Sequence, residues 1–132
     1  MAFARAVAGS RAHRDWTVAD DRAGLWFSIA VDIQFLLGLG LYVKLSPMTQ
    51  IALQDFGAAM ANPVLRFWAV EHALGMIVAL ALVHIGRVRI RKTADAAKRH
   101  RLGAIFFGLA LAIILLTIPW PGTPAARPLF PF

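Results

Sequence analysis

An all-α membrane protein with three transmembrane helices is the fold class this sequence predicts, and three observations predict it. Of its 132 residues, 59% are hydrophobic and the mean hydropathy is +0.64, against about 45–50% apolar residues in a soluble domain. Three apolar runs, 25–45, 66–86 and 102–119, each have the length of about 20 residues that crosses a bilayer core as one helix. The basic residues flank these runs rather than interrupt them.

Charge and composition narrow the function. A formal net charge of +7 and a pI of about 11.4 would suggest nucleic acid in a soluble chain. Beside apolar runs they point instead to topology and to anionic lipid, so nucleic acid is not an expected partner. Cysteine is absent, which excludes disulfides, cysteine-ligated zinc, iron–sulfur clusters and thiol catalysis. One membrane domain over 1–132 is expected.

The segment 1–24 is polar and mixed in charge, with Asp15, Asp20 and Asp21 offsetting Arg11, Arg14 and Arg22. It reads as a solvated cytoplasmic lead-in rather than a cleaved signal. Thr17 with Asp20 is a helix-start pattern ahead of the first span. That span, 25–45, has Trp26 and Tyr42 as interfacial anchors and Pro47 as its stop. Asp32 and Gln34 interrupt it on two different arcs of the helical wheel, so protein is expected on two sides of this helix.

The linker 46–63 is periplasmic in this reading. Ile51, Leu53, Phe56 and Met60 give it a short apolar face, suited to an interfacial or capping helical turn. The second span carries Glu71 and His72 inside an apolar run. Gly75, Ala79 and Gly86 share their arc and allow close approach of another helix. His84 lies off that arc, near the basic loop, and reads as interfacial. The loop 87–101 holds seven Lys and Arg residues against Asp95 alone. The positive-inside rule makes it cytoplasmic, which sets the N-terminus inside and the C-terminus outside. The third span, 102–119, contains no ionisable residue, and Gly103, Ala110 and Thr117 repeat every seventh position as a packing seam. Pro119 and Pro121 end it. The tail 120–132 is proline-rich, which suits an extended periplasmic strap or a disordered end.

The runs DIQFLLGLGLYVKLSP, RFWAVEHALGMIVALALVHIGR, AKRHRLGAIFFGLALAIILLTIPWP and RPLF resemble those of a family of small bacterial inner-membrane proteins catalogued loosely as cytochrome-b-like. The likeness covers about residues 25 to 130, and the AVEH and IPWP runs are its most specific parts. Family members carry a further membrane helix ahead of this region, and often a histidine where this chain has Asp32. The resemblance implies a multi-pass inner-membrane protein. Its label raises haem b as a cofactor, with His72, and more remotely His84, as axial ligands. The two lie twelve residues apart, about 18 Å of rise and about 120° of turn, so they cannot share one haem.

No nucleophile–base pair, metal-ligand spacing or glycine-rich phosphate loop is present, and enzyme activity is not expected. The expected role is that of an accessory subunit of a larger membrane complex, respiratory or photosynthetic, or of a self-dimer. Asp32, Gln34 and Glu71 would then meet partner groups, and Gly75, Ala79, Gly86, Gly103, Ala110 and Thr117 would pack helices. The alternatives are a haem-b electron carrier using His72, and a transporter or proton-path subunit using Asp32 and Glu71.

Overall fold

The computed structural model describes residues 1–126, and the RPLF portion of the tail lies outside them. The described chain is helical: α1 (Ala2–Ala12), α2 (Val18–Gly40), α3 (Pro47–Gln54), α4 (Phe56–Ala61), α5 (Pro63–Arg66), α6 (His72–Lys92) and α7 (Ala96–Thr117). Two π-helical turns, Leu41–Leu45 and Phe67–Glu71, continue α2 and join α5 to α6. Three helical stretches are long and apolar enough to cross a membrane: Val18–Leu45, Pro63–Lys92 and Ala96–Thr117.

Helix starts follow their caps. Thr17 and Asp20 form a reciprocal capping box at α2, satisfying two backbone donors that a helix start leaves open. Ser46, Asp55, Asn62 and Asp95 cap α3, α4, α5 and α7 through their side chains, and Pro47 and Pro63 stand at first helical positions. α7 begins at Ala96, well before the apolar run, and ends at Thr117 because Ile118 precedes Pro119.

α6 is the central element, with α7 and α2 on its flanks. Small residues bring α6 and α7 together. Gly75 sits against the Thr117 side chain, Gly86 against Phe106, and Ala79 and Ala110 are fully buried. In lipid, where no hydrophobic force drives helices together, such close van der Waals approach is the main source of association. Val31, Val83, Ile90 and Phe107 complete this core.

The lead-in at 1–24 exposes many of its residues but packs one face on the bundle. Ala2, Ala6 and Gly9 are buried where α1 lies along the basic half of α7, with Gly103 against Ala6. Spacings of four and three residues put those small side chains on one face. Asp20 is also buried and accepts from Arg5 Nε at 2.9 Å and from Arg14 Nη1 and Nη2 at 2.7 Å. The Arg14 guanidinium is pushed above its ordinary value by these hydrogen bonds, against the effect of desolvation. His100 of α7 is covered by Gly9 and Trp16, the rings 4.9 Å apart.

The linker also differs in detail. Residues 46–63 hold two short helices, but Thr49, Ala52 and Ala59 face inward while Ile51, Leu53 and Phe56 are exposed. After Pro119 the chain makes hydrogen-bonded turns through Ala126 rather than an extended strap, with Trp120 Nε1 donating to the Leu115 carbonyl at 2.7 Å.

Candidate functional site

The polar residues inside the spans fall into three places. Asp32 of α2 and His84 of α6 meet, Oδ1 to Nε2, at 2.7 Å. The expectation that Asp32 lacks a partner in its own chain is therefore corrected, and His84 is that partner. The pair is not enclosed: the side chains are 41% and 52% exposed. Both residues lie inside helices of spanning length, Asp32 near the middle of its own.

Glu71 points elsewhere. It accepts from Arg66 Nε at 2.8 Å, with both side chains about half exposed, while Arg66 also donates to the Met60 carbonyl. Asp32 and Glu71 thus take different partners and do not form a dyad. Gln34 is exposed on α2, at the edge of the cleft described next.

His72 is the third place. Its Nδ1 lies 2.8 Å from the Thr117 carbonyl in the last turn of α7. A carbonyl only accepts, so Nδ1 carries the proton and caps an orphan helix-end carbonyl. In the neutral ring Nε2 is then the lone-pair nitrogen. The rings of Phe67 and Trp68 lie 5.9 and 5.6 Å from the imidazole.

Beside His72 a cleft of about 670 Å³ opens between α2 and α6. Phe35, Leu39, Met76 and Ile77 give it apolar walls, and Ser46, Pro47 and Pro119 close its end. Gly38 borders it, and a Cβ there would meet open space. Both π-helical turns touch this cleft, through Leu41, Tyr42 and Leu45 on one side and Trp68 on the other. A π turn leaves its carbonyls poorly matched. Here Tyr42 Oη donates to the Ala69 carbonyl at 2.7 Å, joining the two widened turns. Such turns are frequent at functional sites.

Of the sequence-predicted residues, the structure brings His72 and Thr117 together, and likewise Asp32 and His84. Gly75, Ala79, Gly86, Gly103, Ala110 and Thr117 sit at contacts within the chain. Sequence reasoning missed Tyr42 as a cross-link and His100 as a buried group. Among the described residues, no group of three His, Asp or Glu side chains is placed to hold a metal ion. No family model, curated protein or solved structure matches this chain.

Proposed function

We propose that this chain is a multi-pass inner-membrane protein acting as a non-catalytic accessory subunit, and that its partner covers the α2–α6 face bearing Asp32 and His84. The observation that carries this reading is the half-exposed Asp32–His84 pair within spanning helices. A charged side chain facing hydrocarbon costs about 2.5–3.5 kcal/mol even on insertion scales. A neighbouring protein surface with its own polar groups removes that cost. The proposed orientation puts the N-terminus and the α6–α7 loop in the cytoplasm, with Arg91, Lys92, Lys98 and Arg101 exposed to anionic headgroups.

The test is the native mass after extraction in a mild detergent, with co-eluting chains identified. Stoichiometric larger membrane subunits, lost in an Asp32→Leu, His84→Leu double variant, are expected. A homodimer lost in the same variant would make the partner a second copy. A lone monomer would overturn the reading.

A second reading, a b-type haem electron carrier, is favoured by the His72 Nδ1 bond to the Thr117 carbonyl, which fixes the ring's tautomer and leaves Nε2 free for an axial position. The cleft supplies that one imidazole, and among the described residues no cation lines it to meet the propionates. A second axial ligand would have to come from another chain. A Soret band that vanishes in His72→Ala tests it.

A further inference from the structure

The cleft beside His72 has a chemistry independent of the partner face. Its volume of about 670 Å³ falls within the range of about 300–1,000 Å³ typical of small-ligand sites. Its lining is mostly apolar and, among the described residues, includes no Lys, Arg, Asp or Glu. An anionic headgroup therefore finds no counter-charge there. At its side stands one polar atom of fixed sense. Because Nδ1 is committed to the Thr117 carbonyl, the neutral His72 ring presents Nε2 as an acceptor. The matching ligand group is a hydroxyl donor. Phe35, Tyr42 and Trp68 on the walls favour a flat ring beside it. Leu39, Leu41 and Leu45 continue along α2 as an apolar track for a tail.

We propose that this cleft binds a membrane-dissolved lipid with a hydroxylated aromatic head, of the hydroquinone type, whose hydroxyl donates to His72 Nε2. The reduced head donates; the oxidised head carries only carbonyl acceptors and has nothing to offer that nitrogen. His72 Nε2 thereby favours the reduced head, and binding itself transfers no electron. Gly38 lines the cleft, and a Cβ there would meet nothing within 4 Å.

The full chain in nanodiscs, titrated anaerobically against empty nanodiscs, tests this. The probes are a decyl-substituted benzohydroquinone, its bis-O-methyl ether and the corresponding quinone. Saturable binding of the hydroquinone is expected, with the ether and the quinone weaker by about tenfold, the scale of one lost hydrogen bond. His72→Leu should lose the preference for the reduced form. That variant also releases the Thr117 carbonyl, so Gly38→Leu provides a second arm. Its side chain enters the open cleft, leaves the His72 bond in place and should abolish saturable binding. Equal affinity for ether and hydroquinone, unchanged binding in Gly38→Leu, or no saturable binding at all would overturn the proposal. A Soret band in the same sample reports separately on haem.

Discussion

Gly9 and Asp20 show how much single positions decide at the basic end. A Cβ at Gly9 would enter the His100 ring, which is itself fully buried. Gly9→Ala is expected to lift α1 from α7 and cost about 1–3 kcal/mol, as overpacked sites do. Trypsin cleavage at Arg5 and Arg11 should speed up accordingly. Asp20→Asn keeps the cap geometry but removes the charge that Arg5 and Arg14 both address. A loss of about 1–3 kcal/mol in thermal unfolding is expected for such a buried, charge-assisted site. Thr17 and Asp20 were legible as a helix start because capping is local in sequence. Their role in holding α1 was not. Arg5 and Arg14 reach Asp20 from separate directions, and nothing in the spacing of three charges announces that they converge. Gly9 and His100 were illegible for the same reason, being 91 positions apart by number (100 − 9) and joined only by packing.

At the scale of elements, the α6–α7 hairpin was the most legible part. Gly75, Ala79 and Gly86 fall on one arc, and that arc meets Thr117, Ala110 and Phe106. Gly86→Leu is expected to separate the two helices and cost about 1–3 kcal/mol, measurable as a lower unfolding midpoint in detergent. Gly38→Ala is expected to act oppositely. Its Cβ meets open space, so the helix gains up to about 1 kcal/mol of propensity. The contrast between two glycines in helices of similar composition checks that packing, and not glycine itself, sets the sign. The two π-helical turns were not legible. Nothing in LYVKL or FWAVE breaks a helical pattern, and their widening is tied to a bond between Tyr42 and Ala69 across 27 residues. The small helices α3 and α4 were legible as helix but not in their facing. Burial of Thr49 and Ala52 beneath them follows from how closely they approach the end of the bundle.

For the whole molecule, the proposed orientation predicts that a reporter active only outside the cytoplasm is silent when fused after Lys92 and active when fused within 55–62. Activity after Lys92 would invert the topology. The manner in which α2 joins the rest has a practical consequence. Polar links tie α2 and its π-helical extension to α6 and the turn before α6 at three heights: Arg87 Nη1 donates to the Asp21 carbonyl at 3.1 Å, Asp32 meets His84, and Tyr42 reaches Ala69. Acyl chains offer no competing donor or acceptor, so a bilayer protects the Asp32–His84 and Tyr42–Ala69 links. A small, water-permeable micelle does not. Amide deuteration in short-chain detergent should therefore reach α2 first and spare the α6–α7 hairpin. A preparation made that way would keep its helical spectrum while losing the geometry on which any assay of the chain depends.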